Sequence, residues 1–139
     1  MQSKNKLIRL FCITAIILIG GLVWWNVPTS MVNIPSSEVS EIMIFNGNTG
    51  KETSITDKKE IEHIIGNLNA ISVKKEKVSL GHMGYSFRTT IYNTDGAVYK
   101  EFIINSNNTI RKDPFFYRDS SESIDYEYIQ ELIADIAKK

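Results

Sequence analysis

Few side chains in this sequence have the chemistry for proton transfer, nucleophilic attack or metal ligation, and their spacing decides how far each can be taken. His63 and His82 are the two imidazoles and Cys12 is the one thiol. His63 stands between Glu62 and Ile64 with no second His or Cys at metal-ligand spacing, so it reads as a surface or partly buried helix residue. His82, in Gly81-His82-Met83-Gly84, lies in a loop where it could approach Ser79, Ser86 or an acid, the set a small hydrolase would use. Neither serine stands in a Gly-x-Ser-x-Gly elbow, however. Gly47-x-x-Gly50 runs into Lys51-Glu52 without the long glycine spacing and Lys-Ser/Thr ending of a phosphate loop, which makes it a turn. Asp119, Glu122, Asp125 and Glu127 lack the alternating oxygen ligands and central glycine of a Ca²⁺ loop. They suit a solvated loop before a helix, where carboxylates favour the N-terminal dipole. Glu76 interrupts Lys74, Lys75 and Lys77, and no aromatics are interleaved, so nucleic acid is not an expected partner. No catalytic residue, metal or cofactor is assigned from these patterns.

Two patterns point to binding instead. Asp95-Gly96 suits a two-residue type I′ turn, which would pair Thr94 with Ala97, Thr89 with Phe102 and Phe87 with Ile104. With that register Tyr85, Phe87, Ile91, Val98, Phe102 and Ile104 share one face of a hairpin, and Ser86, Arg88, Thr90, Tyr92, Tyr99 and Glu101 share the other. Tyr92 and Tyr99 would then stand side by side near Arg88 and Glu101, a mixture of amphipathic aromatics and charge frequent in interfaces. The second pattern is Phe115-Phe116-Tyr117, three adjacent aromatics of which a strand must turn at least one outward. Each pattern also has a purely structural reading, a cross-strand Tyr pair that stabilises the sheet or an aromatic seal under the C-terminal helix.

The elements that must carry these residues follow from periodicity. Glu41 to Phe45 reads as a strand, Asn46-Gly47-Asn48-Thr49-Gly50 as its turn and Lys51 to Thr56 as the returning strand. Asp57-Lys58-Lys59-Glu60 has capping-box spacing, and Ile61, Ile64, Ile65 and Leu68 follow on one helical stripe. Ile71 to Leu80 reads as a strand with a solvated face, and Thr109 to Tyr117 as a further strand interrupted by Pro114. Ile129, Leu132, Ile133 and Ile136 repeat the helical spacing between about Asp125 and Lys138, with Lys138 and Lys139 complementing the C-terminal dipole. Short turns between strands imply antiparallel pairing. The expected class is α+β, a small antiparallel sheet with two helices packed on one face.

The chain has 139 residues, with 16 basic side chains balancing 16 acidic ones. That neutrality is a cancellation. Residues 7–27 are apolar at 16 of 21 positions and contain no acid, whereas beyond them 13 basic side chains face 16 acidic ones. As a helix the apolar run would be about 31 Å long, one bilayer crossing. Lys4, Lys6 and Arg9 precede it and no acid occurs before Glu38, which places the N-terminus in the cytoplasm and the remainder outside. Trp24 and Trp25 end the run at the headgroup level. A cleaved signal peptide would have a shorter apolar region and a small-x-small ending; here Trp-Trp-Asn-Val-Pro follows, so an uncleaved signal anchor is expected. Three segments result: a cytoplasmic stub and anchor at 1–27, an extended linker at 28–37, and an extracytoplasmic α+β domain at 38–139. The anchor's partner is the lipid bilayer.

The basic N-terminus with its anchor, Ile42-Met-Ile-Phe-Asn-Gly-Asn-Thr-Gly50, Ile55-Thr-Asp-Lys-Lys-Glu-Ile61 and Tyr92-Asn-Thr-Asp-Gly96 together resemble a family of small extracytoplasmic proteins of Gram-positive bacteria, membrane- or lipid-anchored domains of unknown function. The resemblance implies a cell-membrane location but brings no catalytic residue or activity. The expected role is a non-enzymatic binding or accessory module for an envelope or membrane protein. Its candidate contact residues are Arg88, Tyr92, Tyr99, Glu101, Phe115, Phe116 and Tyr117. The alternative is a small envelope hydrolase using His82.

Overall fold

The computed structural model describes residues 2–84 and 86–138, with side chains from Lys4 onward; Tyr85 and Lys139, expected on the inner hairpin face and beside the last helix end, lie outside the described residues. The elements in chain order are α1 (Gln2–Asn26), β1 (Val39–Asn46), β2 (Lys51–Ile55), α2 (Lys58–Ala70), β3 (Val73–Val78), β4 (Phe87–Asn93), β5 (Val98–Ser106), β6 (Thr109–Lys112), β7 (Phe115–Asp119) and α3 (Tyr126–Ile136), with a 3-10 turn at Ser36–Glu38. Among the described residues one antiparallel sheet forms, in the order β2-β1-β4-β5-β6-β7-β3. The class is α+β, with an apolar N-terminal helix. The segment expected as one interrupted strand, Thr109 to Tyr117, is two strands, β6 and β7, because Pro114 sits in the turn between them. A proline lacks the N–H that a ladder needs, so the ladder breaks and reverses there.

Both α2 and α3 cover the same face of the sheet. Ile61, Ile64, Ile65 and Leu68 of α2 and Ile129 and Ile133 of α3 join Ile42, Ile44, Phe87, Ile91, Phe102, Ile104 and Ile110 of the strands in one buried cluster. The spacing of these residues decides this outcome: the helical i, i+3, i+4, i+7 stripe meets the alternate residues of the strands. Asp57 caps α2 by accepting from the Lys59 and Glu60 N–H groups at 2.9 and 3.3 Å. The reciprocal half of the capping box is not made, because the Glu60 carboxylate accepts the hydroxyl of Tyr128 on α3 instead.

The β4–β5 hairpin has the expected register at its base and a different one at its tip. Phe87 faces Ile104 and Thr89 faces Phe102, but nearer the turn Ile91 faces Lys100 and Tyr92 faces Val98. The loop holds three residues, Thr94-Asp95-Gly96, closed by Asn93 N–H to Ala97 O and Gly96 N–H to Asn93 O, both 2.9 Å, with Gly96 at φ +77°. The Asn93 side chain accepts the Asp95 and Ala97 N–H groups at 3.1 and 2.8 Å, which holds this turn in place of the two-residue one. The extra loop residue shifts the ladder by one, and a bulge between the Tyr92–Val98 and Ile91–Lys100 pairs shifts it back. Between those two irregularities the faces are exchanged. Val98, expected inside, is exposed opposite Tyr92, and Tyr99, expected beside Tyr92, turns to the helix-covered side and packs against the core.

Residues 28–35 form no helix or strand, Ser36 and Ser37 open the 3-10 turn, and the segment is built into the domain. Met31, Val32 and Ile34 belong to the core, Val32 with no exposure at all. Thr29 forms an isolated antiparallel bridge with Val73, with Thr29 N–H to Val73 O at 2.8 Å and the reverse bond at 3.0 Å. The displaced hairpin tip holds the next residues: Asn33 N–H donates to the Tyr99 hydroxyl at 3.1 Å, and Lys100 Nζ donates to Met31 O at 2.6 Å. Asn69 of α2 clamps Ile34 from both sides, accepting its N–H and donating to its carbonyl. Burial, and after it the like charge of Lys112, lower the Lys100 ammonium from its ordinary pKa.

Candidate functional site

The face of the sheet opposite the helices carries the first group of candidate residues. Register places Glu52, Phe45, Arg88, Ile103, Arg111, Phe116 and Lys77 in one row across all strands of this outer face. Half of that row is covered by the loop after β3. Arg111 Nη1 donates to the His82 and Gly84 carbonyls at 3.1 and 3.2 Å, and the His82 ring stands edge-on to Phe116, 5.2 Å between centroids. The other half, on β1, β4 and the start of β5, has no helix over it among the described residues. Arg88 lies over the Phe45 ring at 5.9 Å, the Thr90 hydroxyl donates to Glu101 at 3.3 Å, and the Ser54 hydroxyl donates to Glu41 at 2.6 Å. Arg88, Tyr92 and Glu101 therefore share a surface with Met43 and Phe45, charge standing next to partly buried apolar groups. Tyr99 is not part of it, for the reason given by the bulge.

The three adjacent aromatics divide between the two faces, as strand geometry requires. Phe116 lies on the outer face, buried under His82. Phe115 and Tyr117 lie on the helix side, with ring centroids 6.3 Å apart, and burial raises the Tyr117 hydroxyl above its ordinary pKa. Phe115 receives the end of α1: the Trp24 and Trp25 rings meet it edge-on at 5.8 and 5.6 Å. Lys75 Nζ sits 4.1 Å over the Trp24 ring and 3.4 Å from the Trp24 carbonyl oxygen. Within the triplet, then, Phe115 meets the end of α1, Phe116 meets His82, and Tyr117 packs against the core.

No family model, curated protein or solved structure matches this chain. The chemistry must accordingly be argued from the residues themselves. Ser79 is buried and its hydroxyl donates to Asp113 at 2.5 Å, while the Ser86 hydroxyl donates to Asn105 O at 3.2 Å. Among the described residues no hydrogen bond joins either serine to the His82 ring. His63 Nε2 lies 2.9 Å from Asp125 Oδ2, and its ring stacks on Tyr128 at 3.9 Å. Burial, and next the hydrogen bond to Glu60, push the Tyr128 hydroxyl up to about 12. This group clamps α2 to α3, and Asn67 extends it by donating to Ser123 O and accepting from Asp125 N–H. Neither sequence neighbour of His63 hints at the clamp, because its other half is some sixty residues away.

The acidic cluster is dispersed rather than convergent. Asp119 is buried and caps the loop before α3, Asp125 faces His63, and Glu122 accepts from Asn108 at 3.3 Å. Among the described residues no three His, Cys, Asp or Glu side chains converge on a point where a cation would sit.

The Lys4–Asn26 part of α1 is long and apolar enough to cross a membrane, and none of it is buried in the protein. Such a helix is compatible with a single-pass anchor or a signal peptide.

Proposed function

We propose that the protein is a single-pass membrane protein of the cell envelope, with its N-terminus in the cytoplasm, and that its external α+β domain is a non-enzymatic binding or accessory module for an envelope or membrane protein. The observation that carries this reading is the asymmetry of the sheet. Both helices protect one face, and among the described residues no helix lies over the β1, β4 and β5 part of the opposite face, where Arg88, Tyr92 and Glu101 stand with Met43 and Phe45. A face of this composition, with a charged pair around apolar and aromatic groups, has the anatomy of a protein-binding patch. The topology rests on Lys4, Lys6 and Arg9 at the helix start and on the indoles at its end. The resemblance to membrane-anchored proteins of Gram-positive bacteria belongs to the same reading.

Photo-cross-linking in intact cells tests it. A cross-linker placed at Tyr92 or Glu101 is expected to capture one defined partner, lost on Arg88→Glu, while a cross-linker at Glu131 on exposed α3 captures none. Equal capture from both faces, or no dependence on Arg88, refutes the assignment of the outer face.

A further inference from the structure

Exposed large apolar side chains beyond α1 are few, and they are not scattered. Apart from Val27 and Val98, those found among the described residues are Val78, Leu80 and Met83, 47%, 69% and 97% exposed, all at the end of β3 and in the loop that follows it. Single exposed apolar residues need no explanation, but three within six positions do.

The position of this loop gives the explanation. Val78 is the cross-strand partner of Phe115, the ring on which Trp24 and Trp25 rest. Ser79 N–H then donates to Pro114 O in the β6–β7 turn at 2.8 Å, which fixes the start of the loop to that same end of the sheet, before it crosses the outer face past Arg111. The direction of α1 is fixed too. Thr29 pairs antiparallel with Val73, and Lys75 reaches back to Trp24, so moving from Thr29 toward α1 follows β3 in the direction of Val78. The end of the sheet at which the loop begins is therefore the end from which the apolar helix departs. Cations surround the junction: Lys75 over Trp24, Lys77 over Phe116 at 5.0 Å, and Lys112 opposite Phe115. The neighbouring acid Asp113 is engaged, with Arg111 Nε at 3.6 Å and the Ser79 hydroxyl.

We infer that residues 78–83 form a second membrane contact, with Leu80 and Met83 entering the outer leaflet of the bilayer that α1 crosses and Lys75, Lys77 and Lys112 lying at the level of its anionic headgroups. The inference rests on the anchor reading above. It follows from continuity: aromatic indoles mark the headgroup level, and the loop begins one side chain away from them. Apolar tips flanked by lysines match that layer in both polarity and charge. Two contacts hold the domain in one orientation on the surface, with the sheet standing on the bilayer rather than swinging from it.

Depth-dependent quenching in reconstituted vesicles of neutral and anionic lipid tests the proposal on the full chain. In a Cys12→Ala background, a fluorophore is attached at Met83→Cys, or at Asn48→Cys in the β1–β2 turn at the opposite end of the sheet. Both positions are exposed, so labelling leaves the core intact. Spin-labelled lipid is expected to quench the probe at 83 several-fold more strongly than the probe at 48. The only tryptophans are Trp24 and Trp25, so their quenching reports the anchor separately. Quenched indoles with equal, weak quenching at 83 and 48 overturn the loop contact and leave the anchor standing. Unquenched indoles overturn the anchor and this inference with it. Shielding of the 83 probe from aqueous iodide without lipid quenching assigns the loop to a second copy of the chain, which also overturns it.

Discussion

Removal of the Asp119 carboxylate probes the connection between β7 and α3. The side chain is buried, and its oxygens accept three hydrogen bonds: the Ser121 N–H at 3.0 Å on Oδ1, and the Ser123 N–H at 2.9 Å and hydroxyl at 2.6 Å on Oδ2. A hydrogen bond to a charged group contributes about 1.5–3 kcal/mol net. Both Ser123 donors belong to one residue of an exposed loop, which water re-solvates once the acceptor is gone, so the three do not add in full. Asp119→Ala is therefore expected to cost about 3 kcal/mol. The pH dependence supplies an independent check. Burial alone would raise this carboxyl, but the bonds from Ser123 and Ser121 outweigh it and hold the group below its ordinary value. A carboxylate depressed in the folded state contributes stability that is present above its unfolded pKa and is lost as pH falls through the folded one. Urea unfolding of the full chain in detergent micelles, at about pH 7 and about pH 3, measures both effects. The gap between the native chain and Asp119→Ala should narrow at the lower pH. A cost below about 1 kcal/mol at neutral pH, or a gap that does not change with pH, refutes the account of Asp119 as a charged cap.

Three further predictions concern other parts of the molecule. Tyr99→Phe leaves the Asn33 N–H without its acceptor and should destabilise the chain by about 1 kcal/mol in the same urea assay, whereas Tyr92→Phe should change it little. Ile64→Ala, at a side chain almost wholly enclosed in the core, should cost about 2–5 kcal/mol by thermal or urea unfolding. In a spectrophotometric titration one tyrosine, Tyr128, should ionise last, near the value of about 12 set by burial and Glu60, and Glu60→Gln should bring it down. Because its pKa is raised on folding, the stabilisation holds at neutral pH and is lost as pH climbs from the ordinary tyrosine range toward 12.

The parts of the fold legible in the sequence are those decided locally. The stripe of Ile61, Ile64, Ile65 and Leu68 needs only the helical period and Asp57 to define α2, and alternation puts Arg88, Tyr92 and Glu101 on one face. The base of the β4–β5 hairpin is legible for the same reason. Its tip is not, because two one-residue irregularities cancel. The signal was nonetheless present: Asn93 followed three residues later by Gly96 is the signature of a type I turn with a left-handed closing glycine, a better match than Asp95-Gly96 alone. Tyr99 and Phe115 were out of reach, since each takes its role from a partner far along the chain, Asn33 and the two indoles. The apolar triplet Met31, Val32 and Ile34 is visible, but Pro28 and Pro35 around it favour a linker, and only its contacts with the hairpin tip and α2 show where such a segment is buried.

The burial of Met31, Val32 and Ile34 has a consequence for how the sheet domain can be released from α1. A juxtamembrane stalk is the usual place for a protease to shed an ectodomain, because cutting it costs the fold nothing. Here a cut after Ile34 would strip three core side chains and the Thr29–Val73 bridge from the domain it frees. Shedding and unfolding become coupled events, and a soluble fragment that keeps its structure has to begin before Thr29.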